Sequence, residues 1–289
     1  MTEEPRLDHV QCLDNRGLHR MAYWQWGDPA NPRVLVCVHG LTRQGRDFDT
    51  LARSLCDQYR VVCPDVVGRG RSDWLADPMH YGVPQYVADM VTLLARLGAR
   101  EVDWVGTSMG GLIGLGVAAL KGSPLRRFVI NDVGPTIEAA AIARIGGYVG
   151  QPMRWSSLDE AADALRAISQ GFGPHTREQW LALTEPQLQR DGDMCKPRSD
   201  PSIALPFKAV TPQMAATGEA LLWQAWDSLR LPTLLLRGAD SDLLSPATAK
   251  AMTERGPRAR LVSFDGVGHA PMLVQPEQVT AVREFLLSP

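Results

Sequence analysis

A single serine lies between two glycines where a short apolar run gives way to a stretch of small residues. The segment is GTSMG (residues 106–110), which follows VDWV and precedes GLIGLGVAAL. Glycine weakens strands, and a buried hydroxyl needs a hydrogen-bond partner, so the segment is not typical of a strand end in a core. It indicates a tight turn that presents the Ser108 hydroxyl.

The chemistry open to such a serine depends on residues elsewhere in the chain. A serine hydroxyl is a poor nucleophile until a base within hydrogen-bond reach takes its proton. The base in turn needs a carboxylate that fixes its tautomer and stabilises its charged form. If Ser108 is a nucleophile, a histidine and an acidic residue must therefore reach it in the fold.

The elements that would position these residues alternate between apolar runs and helical patterns. The runs are RVLVCVHG, YRVVCPDVVGRG, VDWVGTS, RRFVINDVGP, PTLLLRGADSD and ARLVSFDGVGH. Continuous apolar strands separated by helices predict an α/β fold with a doubly wound, mostly parallel sheet. The segment HRMAYWQWGD alternates in polarity, which predicts an antiparallel hairpin at the edge of the sheet.

This alternation stops after Pro135 and resumes near Leu231. The residues between read as helices, so we predict a helical cap over 136–228 inserted into a core formed by 1–135 and 229–289. A cap of this kind would cover the carboxyl ends of the strands, where open sheets bind ligands. Its large aromatic side chains could attach the cap to the core or line a cavity; they are Tyr148, Trp155, Phe172, Trp180, Phe207, Trp223 and Trp226.

Four motifs, each at the end of a predicted strand, resemble those of the α/β-hydrolase family. GTSMG matches the nucleophile elbow G-x-S-x-G in its strand-turn-helix context. VHG (38–40) resembles the oxyanion loop, PDVVGRGRS (64–72) the D-x-x-G-x-G-x-S turn, and GVGH (266–269) the catalytic-histidine loop. The four motifs occur in the family's order, and the resemblance covers nearly the whole chain.

The resemblance implies a role for several residues. Ser108 would be the nucleophile and His269 the base, and among six histidines His269 is the one in a glycine-flanked loop after the last strand. The backbone N–H groups of Leu41 and Met109 would bind the negative charge that develops on the carbonyl oxygen. Met109 also begins a predicted helix, whose positive end adds to that field. We expect His39 to support its own loop by hydrogen bonding.

Three aspartates could orient His269. Asp132 ends the run FVIND, whereas Asp240 and Asp242 both follow the next run, LLLRG. The family pattern after that run resembles G-x-x-D-x-x-x-P, and neither Asp240 nor Asp242 matches its spacing from Gly238. Alignment on Pro246 instead selects Asp242, so we predict Asp242, with Asp132 and Asp240 as alternatives.

The serine in the nucleophile elbow limits the classes of reaction that the resemblance allows. Haloalkane dehalogenases and epoxide hydrolases of this fold use an aspartate nucleophile, so Ser108 argues against both. The resemblance implies a serine hydrolase that cleaves a small carboxylic ester or lactone through an acyl-enzyme, with water as second substrate and without cofactor or metal. Short-chain esters, including oligomers of hydroxy acids, are the favoured class. The alternatives are hydrolysis of a C–C bond in a dicarbonyl compound, a hydroxynitrile lyase or perhydrolase, and a non-catalytic receptor.

Arg43 is a candidate substrate-binding residue beside the oxyanion loop. The segment LTRQGRDFD (41–49) contains Arg43 and Arg46 together with Asp47 and Asp49. An arginine here could bind a carboxylate or polar acyl group through two parallel hydrogen bonds. The alternative is that Arg43 pairs with a neighbouring aspartate and holds the loop in place.

Composition limits the partners and the location. A net charge of −2 over 289 residues provides no basic field, so we expect no nucleic-acid or membrane partner and a small-molecule substrate. The segment MTEEPRLDHV lacks the basic and apolar regions of a secretory signal, which predicts a cytoplasmic protein. Five cysteines without metal-ligand spacing predict no structural disulfide and no zinc site. The oligomeric state stays open.

Overall fold

The computed structural model describes residues 4–288, so the first three residues of MTEEPRLDHV lie outside the described part of the chain. Within it, the strands are β1 (Arg6–Asp14), β2 (Gly17–Trp26), β3 (Val34–Val38), β4 (Arg60–Pro64), β5 (Val102–Thr107), β6 (Leu125–Asn131), β7 (Leu188–Asp191), β8 (Met194–Pro197), β9 (Thr233–Gly238) and β10 (Arg260–Phe264).

The α-helices of the described residues are α1 (Asp49–Leu55), α2 (Val83–Leu97), α3 (Met109–Ala118), α4 (Ala139–Tyr148), α5 (Leu158–Ile168), α6 (Arg177–Thr184), α7 (Ala204–Lys208), α8 (Pro212–Ser228), α9 (Pro246–Glu254) and α10 (Pro276–Leu287). None of these helices has both the length and the apolar character that crossing a bilayer requires.

Eight strands form one sheet in the order β1-β2-β4-β3-β5-β6-β9-β10. β1 pairs with β2 and β2 with β4 in antiparallel register, and every pairing from β4 to β10 is parallel. The predicted edge hairpin and the mostly parallel sheet are therefore confirmed. Parallel strands joined by helical crossovers bring their carboxyl ends to one edge, where β3, β5 and β6 lead into the candidate site.

The sheet is covered on both faces, as its apolar strands predict. Every residue of β3 is buried. Val34, Val36 and Val38 pack into the cluster that includes residues of α2, α3 and α8. Leu35 and Cys37, which alternate with them, pack into the cluster that includes residues of α1 and α10. This alternation follows from the two-residue period of a strand, and it fixes the strand ends that carry the site.

The segment between β6 and β9 contains α4 to α8 together with β7 and β8. Among its described residues, no strand joins the eight-stranded sheet, and β7 pairs with β8 in antiparallel register. The helical pattern predicted for this segment is interrupted by this hairpin over 188–197. The chain turns there at Gly192, which has a φ of +64°, a conformation that glycine adopts without strain. The sequence signal for this hairpin is DGD, at residues 191–193.

Candidate active site

Ser108 occupies the turn between β5 and α3. Its backbone has φ 52° and ψ −118°, and it is the residue that precedes the first turn of α3. A positive φ is strained for serine, and strain of this kind is found where a side chain must be aimed. The Ser108 N–H donates to the carbonyl of Asn131 at the end of β6, at 2.9 Å, which ties the turn to the neighbouring strand. The predicted strand-turn-helix context of Ser108 is confirmed.

The glycines of the elbow let the backbone pack tightly around this turn. A Cβ on Gly106 would lie 2.2 Å from the carbonyl oxygen of Gly110, and a Cβ on Gly110 would lie 1.9 Å from that of Val38. Both distances are shorter than any tolerated contact, and both involve backbone atoms that cannot rotate away. The glycine pattern is thus a steric requirement of the turn that presents Ser108.

We expect Gly110→Ala to lower the free energy of unfolding by about 3 kcal/mol or more, because the new methyl group overlaps the backbone of β3. Gly218 in α8 is the matched control, since a Cβ added there meets no atom within 4 Å. Gly218→Ala should instead raise the free energy of unfolding by up to about 1 kcal/mol, through helix propensity. Urea denaturation of the two variants measures both effects, and equal midpoints would contradict the steric account.

A continuous hydrogen-bonded chain connects Ser108 to His269 and Asp132. His269 Nε2 lies 2.9 Å from Ser108 Oγ, and His269 Nδ1 lies 2.8 Å from Asp132 Oδ2. Because Nδ1 faces a carboxylate, it carries the proton of the neutral ring, which leaves Nε2 free to accept the Ser108 hydroxyl hydrogen. This is the arrangement in which a histidine can act as a general base toward serine.

Asp132 is held from several sides at the end of β6. It has φ 55° and is fully buried. Oδ1 accepts the backbone N–H of Gly238 at 2.9 Å, and Oδ2 accepts the Ser241 hydroxyl at 2.7 Å in addition to His269. These bonds to β9 and the turn after it fix the direction in which the carboxylate meets His269.

The prediction that Asp242 orients His269 is wrong in the structure. Asp242 forms two hydrogen bonds with Arg144 of α4, at 2.7 and 2.8 Å, and its side chain is 45% exposed. The Arg144 hydrogen bonds lower the pKa of Asp242 below its usual value. The turn after β9 directs Ser241 toward the buried Asp132 and leaves Asp242 on the outside, so Asp132, the alternative one strand earlier, meets His269.

Leu41 and Met109, the predicted oxyanion residues, flank Ser108. Met109 is the first residue of α3, and the first N–H groups of a helix have no acceptor within it. The loop that contains Leu41 passes close to the elbow, because a Cβ on Gly40 would lie 3.6 Å from the Cβ of Ser108. The backbone around both residues is therefore near the hydroxyl, and their oxyanion role stays a prediction.

His39 supports the oxyanion loop. Its Nδ1 lies 2.7 Å from the carbonyl oxygen of Gly40, so Nδ1 carries the hydrogen, and its Nε2 accepts the backbone N–H of Val66 at 2.9 Å. Burial lowers the pKa of His39 to about 3, which keeps the ring neutral. The expectation that His39 supports its loop is confirmed.

Arg43 pairs with Asp47, which confirms the alternative interpretation of this arginine. Nε and Nη2 of Arg43 donate to the two carboxylate oxygens of Asp47 at 2.6 and 2.8 Å, and Nη2 also donates to the carbonyl of Leu183 at 3.2 Å. Burial raises the pKa of Asp47, and the charge of Arg43 acts in the opposite direction. Arg43 also lines the cavity above Ser108, so substrate binding by Arg43 stays a prediction.

A cavity of about 330 Å³ opens over Ser108 and His269. Residues of the core form one side, and residues of the segment between β6 and β9 form the other. Of the seven aromatic residues in that segment, Tyr148, Trp155 and Phe172 line the cavity. Trp226 is fully buried and donates to the carbonyl of Arg255, so it attaches the segment to the core. The two roles predicted for these aromatic residues are therefore both present.

Among the described residues, one cluster outside this site brings possible metal ligands together. Ligand atoms of Cys12, His19 and Asp89 lie within 4.8 Å of one another, and all three residues are buried. His19 Nε2 and Asp89 Oδ2 already form a hydrogen bond of 3.1 Å. Burial raises the pKa of the Cys12 thiol to about 12, which disfavours the thiolate that metal binding requires.

Comparison with known proteins identifies the family. The sequence profile of the alpha/beta hydrolase family matches residues 35–282, and the chain belongs to this family. A 3-hydroxybutyrate-oligomer hydrolase of Cupriavidus necator is 53% identical over 289 residues, which are 99% of each chain. The chain is an enzyme, a hydrolase of carboxylic esters. The predicted family, fold class and enzyme class are confirmed.

Two solved structures resemble the chain over almost its full length. A putative hydrolase from Rickettsia typhi has a TM-score of 0.89 and 28% identity, with 99% of this chain and 100% of that chain covered. An alpha/beta hydrolase from Novosphingobium aromaticivorans has a TM-score of 0.84 and 36% identity, with 98% of both chains covered. The similarity includes the segment between β6 and β9 as well as the sheet.

Proposed function

We propose that this chain hydrolyses the ester bonds of short 3-hydroxybutyrate oligomers, with Ser108 as nucleophile, His269 as base and Asp132 as orienting carboxylate. The observation that carries the proposal is the hydrogen-bonded chain from Ser108 through His269 to Asp132 at the floor of the cavity. The substrate class is supported by the 53% identical relative, whose name is 3-hydroxybutyrate-oligomer hydrolase. The units of such oligomers are joined by carboxylic esters, the bond that acyl transfer to serine opens.

In the first half of the reaction, Ser108 Oγ attacks the ester carbonyl carbon while His269 Nε2 takes the hydroxyl proton. The negative charge that develops on the carbonyl oxygen is bound by the N–H groups of Leu41 and Met109. Asp132 stabilises the imidazolium through Nδ1. The C–O bond to the next unit then breaks, and the alkoxide takes the proton from His269 and leaves as an alcohol.

The second half releases the acyl group from Ser108. His269 takes a proton from a water molecule, which attacks the acyl carbonyl carbon, and the same N–H groups bind the oxyanion. The bond to Ser108 Oγ breaks, Oγ regains its proton from His269, and a free carboxylic acid leaves. No redox change or metal ion takes part in either half.

The segment 136–228 acts in this proposal as a cap that selects the substrate. Ile145, Met153, Leu165 and Ile168 give the cavity apolar walls, which suit the methyl-bearing chain of a hydroxybutyrate oligomer. Substitution of a lining aromatic such as Tyr148 would therefore change chain-length preference more than turnover of a small activated ester. The cytoplasmic location remains a prediction from the sequence.

The test is release of 3-hydroxybutyrate from its dimer and trimer, measured with a coupled 3-hydroxybutyrate dehydrogenase. We expect turnover of both oligomers, together with turnover of small p-nitrophenyl esters. β-Butyrolactone and a β-diketone tested in parallel separate lactone and C–C cleavage from ester cleavage. If p-nitrophenyl esters were hydrolysed while neither oligomer was, the substrate class would be wrong and the serine mechanism would stand.

A further inference from the structure

We propose that Lys196 and Arg154 bind the free carboxylate at the end of the oligomer, so that the enzyme recognises its substrate from the acid end. The inference rests on the proposed function, because a 3-hydroxybutyrate oligomer has one charged group, the carboxylate of its last unit. Both cations line the same cavity as Ser108 and His269.

The fold brings these two cations together. Trp155 and Cys195 exchange two backbone hydrogen bonds, with N to O distances of 2.9 and 2.7 Å. This bridge places their neighbours, Arg154 and Lys196, next to each other. Arg154 Nη1 lies 2.7 Å from Asp191 Oδ2, and Lys196 Nζ lies 3.5 Å from the same oxygen. Two cations therefore share one carboxylate, and the cluster carries a net charge of +1.

The other charged side chains of the cavity lining are already matched by partners. Arg43 forms two hydrogen bonds with Asp47, and Arg144 forms two with Asp242. The buried Asp200 accepts the Tyr81 hydroxyl at 2.7 Å and the Ser202 N–H at 2.8 Å. Within the described lining, the cluster around Lys196 is thus the place where positive charge exceeds negative charge.

Lys196 is the better placed of the two for a further anion. Its ammonium group offers three donors, and the contact with Asp191 at 3.5 Å is longer than a strong charge-assisted bond. Its side chain is 37% exposed, so a carboxylate can approach without complete desolvation. Elsewhere the cavity presents apolar side chains such as Met153 and Leu188, where an unpaired carboxylate would be costly.

The position of the carboxylate in the reaction follows from the chemistry of the oligomer. In each ester of the chain, the unit with the free carboxylate lies on the alcohol side, so it belongs to the group that leaves when Ser108 is acylated. The cluster therefore acts on binding and acylation, and it no longer touches the substrate during deacylation. A change at Lys196 should lower kcat/KM and leave the rate of hydrolysis of the acyl-enzyme as it was.

The experiment compares kcat/KM for the free acids of the dimer and trimer with kcat/KM for their methyl esters, which lack the charge. We expect the wild-type enzyme to prefer the acid by about ten-fold for at least one length, the equivalent of one charge-assisted contact. Lys196→Met should bring this ratio close to one, and Lys196→Arg, which keeps the charge, should retain most of it. Arg154→Met should lower the ratio partly.

Two matched variants make the outcome specific. Lys250→Met changes a lysine of α9 that pairs with Glu254 outside the cavity, and it should keep the wild-type ratio. Arg144→Met removes a cavity cation with the same loss of charge, and it should also keep the ratio. The subsite would be overturned if the wild-type enzyme had equal kcat/KM for the acids and the methyl esters. It would also be overturned if the acid-to-ester ratio of kcat/KM fell equally in Lys196→Met and Arg144→Met. If the wild-type enzyme hydrolysed neither the acids nor the methyl esters, the proposed function itself would be overturned.

Discussion

Replacing Asp132 with asparagine is expected to lower kcat for ester hydrolysis by about 10⁴-fold, the size of the loss known for serine proteases with the equivalent change. Asparagine keeps the shape of the side chain but removes its charge. Its amide group can also donate to His269 Nδ1, which favours the tautomer with hydrogen on Nε2. That tautomer cannot accept the proton of Ser108, and the imidazolium loses its stabilising partner.

Asp242→Asn is the matched control for this change. Asp242 is half-exposed and bonded to Arg144, and surface ion pairs of this kind contribute about 1 kcal/mol or less, so kcat should stay within about five-fold of wild type. Thermal unfolding of both variants separates loss of fold from loss of chemistry. The opposite pattern, with turnover kept in Asp132→Asn and lost in Asp242→Asn, would refute the assignment of Asp132.

Replacing Ser108 with alanine is expected to have the largest effect, a fall in kcat on the order of 10⁶-fold, because the covalent route is removed. The residual rate would come from the oxyanion N–H groups and the cavity acting on a bound water. Ser228→Ala, a change of an exposed serine in α8, should leave kcat unaltered. A fluorophosphonate probe should label wild-type enzyme and Ser228→Ala but not Ser108→Ala, and label on Ser108→Ala would contradict the assignment.

The turn that presents Ser108 could be predicted from the sequence because its local geometry makes steric demands on neighbouring residues. The positive φ of Ser108 and the close approach of Gly110 to Val38 require the spacing GTSMG, and this spacing is visible along the chain. The position of His269 beside Ser108 could be predicted for a related reason, since the loop that carries His269 is bounded by glycines. Gly268 also donates to the carbonyl of Gly171 at 2.7 Å, so the loop packs tightly against the inserted segment.

The aspartate that contacts His269 could not be identified from the local sequence in the same way. Asp132 and Asp242 follow β6 and β9, which are neighbours in the sheet, so either strand end could reach His269. The choice depends on the positive φ of Asp132 and on the contact between Asp132 and Ser241, which are 109 positions apart in the chain. A spacing rule depends only on the local sequence, and here it selected Asp242, which forms hydrogen bonds with Arg144 instead.

Contacts between residues far apart in the sequence also determine which residues line the cavity around Ser108. The hairpin of β7 and β8 interrupts a segment whose residue types favour helix, and a backbone bridge from Cys195 to Trp155 holds it in place. This hairpin brings Lys196 into the cavity, a position that no motif marks. The pairing of Arg43 with Asp47, by contrast, joins residues four apart, and local spacing was enough to propose it.

Acylation of Ser108 during turnover is tested most directly by rapid acid quenching followed by peptide mass analysis. The substrate is p-nitrophenyl 3-hydroxybutyrate, whose good leaving group makes acylation fast and lets the acyl-enzyme accumulate as a burst. We expect the peptide that contains Ser108 to gain the mass of one 3-hydroxybutyryl group, and the same peptide from Ser108→Ala to gain none. An acyl group on another side chain, or steady turnover with no acylated peptide at any quench time, would contradict the account.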